Sequence, residues 1–186
     1  PSVPTVVHAP PLKVSLRPQA GLTLGRSLLS RAERHRRRAV RSAHTIAPTC
    51  TLDGRVFVVT GATDGIGKHT ATLLAEAGAT VVLHGRRPAA GAAALTEIRA
   101  KTGNHNLEYF NGDLSSLSQI HKLAGEIRSK YSKIDCLINN AGVYEPKKLL
   151  SEDGHELTWA VNVMAPFLLT SLLLDNIRTG TKPRIV

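Results

Sequence analysis

From Thr51 onward the apolar positions switch repeatedly between two spacings. Short β-branched or leucine-rich runs predict strands over 55–60, 80–84, 107–110 and 134–138, the last read as fully apolar. Between them, apolar residues three and four apart predict helices. The first starts at Gly65, carries Ile66, Thr70, Leu73, Leu74 and Ala77 on one face, and stops at Gly78, a residue that enters the left-handed region without a Cβ penalty. The second starts at Pro88, whose fixed φ suits a first helical turn, and runs to about Thr102 with Ala94, Leu95 and Ile98 facing inward. The third is capped by Ser115 or Ser116 and carries Leu117, Ile120, Leu123, Ala124 and Ile127. A long helix is predicted from Glu152 to about Ile177, and 183–186 reads as the opening of a fifth strand. Strands alternating with helices in this way build βαβ units, and hence a parallel sheet covered on both faces. The fold class is α/β, with a sheet that is incomplete after the fifth strand.

Residues 1–48 break the pattern. They hold prolines, serines and arginines, and nine Lys and Arg stand there against the single acid Glu33. The whole chain has 186 residues and a formal net charge of +10, but the remaining 15 bases and 13 acids nearly balance. The charge belongs to a basic arm, and residues 51–186 form an ordinary domain that can bury one core. No aromatic residues interleave with the run 34–38 to stack on bases, so a nucleic-acid partner is not expected. The arm has no apolar core of a secretory signal. Its Arg- and Ser-rich, acid-poor composition fits an organellar transit segment, for a mitochondrion or plastid. A disordered basic arm, or upstream sequence foreign to the protein, stays open beside it; the location would then be cytoplasmic. The first residue is proline and Met164 is the only methionine, which points to processing or truncation at the front. No stretch reaches the ~18 uninterrupted apolar residues of a membrane span; the best, 165–174, contains Thr170 and Ser171. Two cysteines, Cys50 and Cys136, make no disulfide framework, and the histidines show no metal-ligand spacing.

The first strand feeds Thr60-Gly61-Ala62-Thr63-Asp64-Gly65-Ile66-Gly67 into a helix. Glycines at these offsets serve a tight reversal, close approach of backbone to phosphate, and close helix–strand packing. Backbone N–H groups and the positive end of the helix dipole make such a turn an anion site. It is not a Walker A loop, since Ala62 takes the first glycine position and His69 replaces Ser or Thr. A carboxylate for a ribose 2′-hydroxyl would be expected about 20 residues later, at the end of the second strand. That end reads Val81-Val82-Leu83-His84-Gly85-Arg86-Arg87 and has no acid. Two guanidiniums stand there instead, suited to the 2′-phosphate of NADP (NADPH) by charge-assisted, often bidentate contact.

The octapeptide 60–67 resembles the TGxxxGxG turn of the short-chain dehydrogenases/reductases, and Asn139-Asn140-Ala141-Gly142 resembles that family's NNAG motif. Asp113-Leu114 resembles its adenine contact, and Val161-Asn162 stands where the family places the asparagine of its catalytic tetrad. The segments 151–157 and 167–170 are similar to the branch with retinol-dehydrogenase-like and protochlorophyllide-reductase-like enzymes. The resemblance covers 51–186 and implies a Rossmann-type doubly wound parallel sheet. It implies hydride transfer between NADP and a carbonyl or alcohol, of lipophilic kind in that branch, and leaves room for homo-oligomers of a full-length protein. Gly61, Gly65, Ile66 and Gly67 would cradle the pyrophosphate, with Thr63 and Asp64 also binding the cofactor; Arg86, backed by Arg87, would select the 2′-phosphate; Asp113 and Leu114 would border the adenine. Asn140, Ala141 and Gly142 would line the ribose and nicotinamide side, and Asn162 would hold a water of the proton relay.

The family's acid/base tyrosine, with a lysine four residues later on one helix face, is expected beyond Val186, together with its serine. Placed proton transfer of this kind contributes ~10²–10⁴-fold. Tyr144 and Lys148 have the spacing, with Ser132 upstream, but Pro146 between them opposes the helical turn the pair requires. The chain is therefore expected to be a C-terminally truncated short-chain dehydrogenase. The alternative is a catalytically silent nucleotide-binding or interaction protein.

Overall fold

The computed structural model describes residues 51–186, so the basic arm and Cys50 lie outside the described residues. Five strands form one parallel sheet: β1 (Val56–Val59), β2 (Thr80–Gly85), β3 (Leu107–Asn111), β4 (Cys136–Ile138) and β5 (Arg184–Ile185). Their order across the sheet is β3-β2-β1-β4-β5. This is the doubly wound order, in which the chain steps outward from β1 in one direction, returns, and continues in the other. Adjacent residues of one strand serve opposite faces, as the pleat requires. Val59, Val81 and Leu83 pack with helices α1 (Gly65–Glu76) and α2 (Pro88–Thr102). Val58, Val82 and Leu137 pack with α3 (Leu117–Lys130) and α4 (Leu157–Arg178).

The helix starts follow local chemistry. Ser116, not Ser115, caps α3, accepting from Gln119 N. Pro88 stands in the first turn of α2, and Gly78 follows α1 with φ +89°. Three expectations are corrected. The buried face of α1 is Gly67, Ala71, Thr72 and Ala75, while Ile66 and Leu73 are 80% and 50% exposed. Small residues let this helix press against the sheet, and that close approach overrides the bulkier stripe one position away. The stretch 134–138 is not fully apolar: Asp135 is completely buried at the foot of β4. Finally, α4 begins at Leu157 rather than Glu152. Glu156 caps it, accepting from Thr158 N and Trp159 N at 2.8 Å each. Glu152 and Asp153 serve α3 instead, Asp153 accepting from Leu117 N at 2.8 Å and Glu152 from the Ser116 hydroxyl. Asp153 and Glu156 thereby satisfy backbone donors that a helix N-terminus leaves open.

Among the described residues one helix, Leu157–Arg178, is long and apolar enough by length and composition to cross a membrane. Ala165, Leu169, Leu173 and Ile177 are buried in the core beneath the sheet, whereas Trp159, Val163, Phe167 and Leu174 form an exposed apolar stripe.

Candidate functional site

The strand order reverses beside β1, and the carboxyl ends of β1, β2, β3 and β4 open there onto a cleft of about 370 Å³. Such crevices are where open parallel sheets hold ligands. Of the residues singled out from the sequence, Gly61, Thr63, Asp64, Ile66, Gly67, Arg86, Arg87, Asp113, Leu114, Asn140, Ala141 and Gly142 line it. Gly65 and Asn162 are not in its wall. The lining also contains Val161, the neighbour of Asn162 in its motif, and His84, Gly85, Gly112 and Val143, to which the motifs gave no role.

The glycine turn is built from steric necessity. Gly61 has φ +64°, and a Cβ on it would stand 2.9 Å from Ala141 Cα. A Cβ on Gly67 would fall under 3.0 Å from both Gly61 O and Asn140 Nδ2. Gly65, at φ +55°, meets nothing within 4 Å, so its backbone is bare toward open space at the helix N-terminus. This cradle, ahead of helix α1, fits an anionic group in contact with backbone. Asp64 caps α1 through Gly65 N at 2.7 Å and occupies one of the donors there. We expect Gly67→Ala to lower unfolding stability by about 1–3 kcal/mol through overpacking, although alanine is the better helix former. Urea denaturation of the variant at wild-type stability or above would contradict the contact.

Asn140 holds the turn from across the switch point. Its Nδ2 donates to Thr60 O at 2.9 Å and Gly61 O at 3.2 Å, while Ala141 N donates to Thr60 Oγ1 at 3.0 Å. The Asn140 amide nitrogen is thus spent inside the protein as a strut between β4 and β1. Ala62 N donates to His84 O at 2.9 Å, and a Cβ on Gly85 would stand 2.6 Å from Thr63 Cγ2, so turn and β2 end are also locked together. His84 is buried. Its ring Nε2 donates to Gly112 O at 3.0 Å, and burial, the largest influence, lowers its pKa against the opposing pull of that bond and of Asp113. It is a neutral wall group that anchors the start of the Gly112–Leu114 stretch.

Arg86 and Arg87 are exposed at the cleft rim and, among the described residues, pair with no carboxylate. On the other side Asp113 Oδ1 accepts from Ser115 N at 2.9 Å and Ser115 Oγ at 2.8 Å, while Leu114 is buried against the core. Asn162 lies in a π-helical turn, Ala160–Met164, of the kind frequent at functional sites. Its Oδ1 accepts from Val143 N at 2.9 Å and its Nδ2 donates to Val143 O at 2.8 Å, clamping the chain that follows Gly142. Tyr144 is 86% exposed, and neither it nor Lys148 is helical. Ser132 lies near the opposite end of β4, its carbonyl accepting from Thr179 Oγ1 at 3.1 Å. The three do not converge.

A family model described as short chain dehydrogenase matches residues 55–186. The chain belongs to the short chain dehydrogenase family. Retinol dehydrogenase 13 of Homo sapiens is 40% identical over 136 residues, covering 73% of this chain and 41% of that protein. Polyprenol dehydrogenase of Homo sapiens is 36% identical over 129 residues, covering 69% and 39%. A solved short chain dehydrogenase from Escherichia coli CFT073 complexed with NADPH is 32% identical with a TM-score of 0.62, over 72% of this chain and 57% of that one. This short chain dehydrogenase chain thus spans about two fifths of the curated relatives it matches.

Proposed function

We propose that the cleft holds NADP(H), and that the protein transfers hydride between its nicotinamide and a lipophilic carbonyl or alcohol. The observation that carries the reading is the pair Arg86 and Arg87 at the cleft rim, unpaired among the described residues and placed where an NAD site would present an acid. Gly65 supplies bare backbone for the pyrophosphate, Gly61 and Gly67 let the turn close against Ala141 and Asn140, Arg86 and Arg87 supply the charge for the 2′-phosphate, and Asp113 and Leu114 the adenine wall. Ala141 and Gly142 border the nicotinamide side, held in register by Asn140 and by the Asn162 clamp on Val143. The bound nicotinamide supplies or accepts the hydride; these residues orient it. The lipophilic substrate class is supported by relatives named for retinol and polyprenol.

Proton transfer needs a tyrosine whose lysine partner shares its helix face. The chain's three tyrosines, Tyr109, Tyr131 and Tyr144, offer no such pair, because only Tyr144 has a lysine four residues on and that segment is irregular. The reaction is therefore proposed for a protein of the relatives' length, and cofactor binding for this chain itself. Titration of the 186-residue chain with NADPH and NADH, followed by nicotinamide fluorescence, is expected to give at least tenfold tighter binding of NADPH, the discrimination of one charge-assisted contact. Equal affinities, or a preference for NADH, would overturn the assignment of NADP.

A further inference from the structure

Behind the Gly85–Arg87 turn, outside the cleft lining, stands a side chain with no role in the reading above. Tyr109 lies on β3 opposite Leu83, and its ring fills space left by two glycines. A Cβ on Gly91 of α2 would fall under 3.0 Å from three atoms of the ring, and one on Gly85 would come within 3.4 Å of Cε2. Tyr109 Oη donates to Gly85 O at 2.7 Å. A hydroxyl has one proton, so its neighbour Asn111 must present the amide nitrogen. In that orientation Nδ2 lies 3.2 Å from Tyr109 Oη and 3.3 Å from both Gly85 O and Arg86 O. Gly112 N adds a third donor to Gly85 O at 3.2 Å. The two carbonyls that bracket the Arg86 Cα are thus both held from β3, the edge strand of the sheet.

We propose that Tyr109, seconded by Asn111, is a positioning residue that sets the specificity of the site for a cofactor bearing a 2′-phosphate. The proposal rests on the NADP reading of the cleft. An arginine side chain is long and rotamer-rich, and its reach toward a phosphate is defined only if the backbone that carries it is fixed. Tyr109 and Asn111 supply that fixation at Gly85 and Arg86 without touching the ligand. Loosening the turn lowers the affinity for a 2′-phosphate, which depends on where Arg86 and Arg87 point. A cofactor with a plain 2′-hydroxyl asks nothing of the two guanidiniums and is spared.

The test compares Kd values of NADPH and NADH for the wild-type 186-residue chain, Tyr109→Phe and Asn111→Ala. Tyr109→Phe keeps the ring between the glycines and removes only the hydroxyl. It is expected to raise the Kd for NADPH about fivefold, the size of one lost hydrogen bond, with NADH changed less than about twofold. Asn111→Ala, at an exposed position, is expected to shift the ratio the same way by about twofold, as a longer and weaker bond would. An unchanged NADPH-to-NADH ratio in Tyr109→Phe, or an equal loss for both cofactors, overturns the proposal, since a merely structural role weakens both alike. A wild-type chain with no preference for NADPH overturns the underlying reading and this proposal with it.

Discussion

Asp135→Ala is expected to destabilise the domain by about 3 kcal/mol, the scale for breaking a buried ion pair by removing one partner. Asp135 has no exposed surface, yet it bonds in four directions. Its oxygens accept from Val56 N at 2.8 Å and Thr181 N at 2.6 Å, and lie 2.9 Å from Arg55 Nε and 3.7 Å from Lys133 Nζ. The carboxylate therefore ties the start of β1, the foot of β4 and the approach to β5 into one knot. Arg55 also donates to Thr181 O, so the knot closes on itself. Alanine would leave two backbone donors without partners and Arg55 without its counter-charge; partial exposure of the Arg55 side chain keeps the cost near the lower end. For a domain of this size the loss corresponds to a fall in Tm of about 10 °C. Thermal unfolding followed by circular dichroism measures it, and a shift under about 2 °C would remove Asp135 from the determinants of the sheet.

The same group sets the acid limb of stability. Burial, the largest influence, pushes the Asp135 carboxyl upward, but the Val56 and Thr181 N–H bonds, with Arg55 and Lys133, outweigh it and hold the pKa below the ordinary 3.8. A carboxylate whose folded pKa is depressed binds its proton more readily in the unfolded chain. Its contribution is complete above the ordinary carboxylate range and disappears as pH falls through the folded value. Urea unfolding of the wild type should therefore weaken as pH drops below about 4, and Asp135→Asn should flatten that limb.

Asp135 also marks where sequence reasoning ran short. The alternation of apolar runs gave the strands and helices, and Pro88, Ser116 and Gly78 located helix ends, because those signals act over a few neighbouring residues. A single acid inside an apolar run carries no local sign that Val56, Thr181 and Arg55 will converge on it from elsewhere in the chain. The inward face of α1 was misjudged for a related reason. Ile66 and Leu73 are the bulkier residues and Leu74 of the same stripe does pack against the core, but the distance between helix and sheet is set by Gly67 meeting Gly61 and Asn140. The motif residues around the cleft were legible because glycines and paired asparagines are sparse and ordered along the chain. What they do was less so. Asn140 lines the cleft but spends its amide nitrogen on backbone of the glycine turn, and Asn162 spends both amide atoms on Val143. His84 and Tyr109 looked like ordinary strand residues until the topology set them against Gly112 and Gly85.

Replacing both Arg86 and Arg87 with serine is expected to weaken NADPH binding by roughly a hundredfold while leaving NADH within about threefold, since hydrogen bonds to charged groups contribute about 1.5–3 kcal/mol each. The two side chains are exposed and unpaired among the described residues, so their removal leaves no buried partner unsatisfied and the fold should not respond. Stability of the double variant should stay within about 0.5 kcal/mol of wild type, as for most surface substitutions. That separation is what distinguishes a binding role from a structural one at this rim. Salt provides an independent measure of the same charge. The two guanidiniums face solvent, where added ions screen their attraction for a dianionic phosphate, so wild-type NADPH affinity should fall steeply between low and physiological ionic strength. The double variant should show a much shallower dependence, close to that of NADH on either protein. Going one step further, Arg86→Asp in the Arg87→Ser background would place a carboxylate within reach of a ribose 2′-hydroxyl and against a 2′-phosphate. Repulsion of the wrong cofactor adds to the lost attraction, and the preference should invert to NADH. Retention of NADPH preference by that variant would mean that the 2′-phosphate is held by some other group, and the two arginines at the end of β2 would then be ordinary solvated residues.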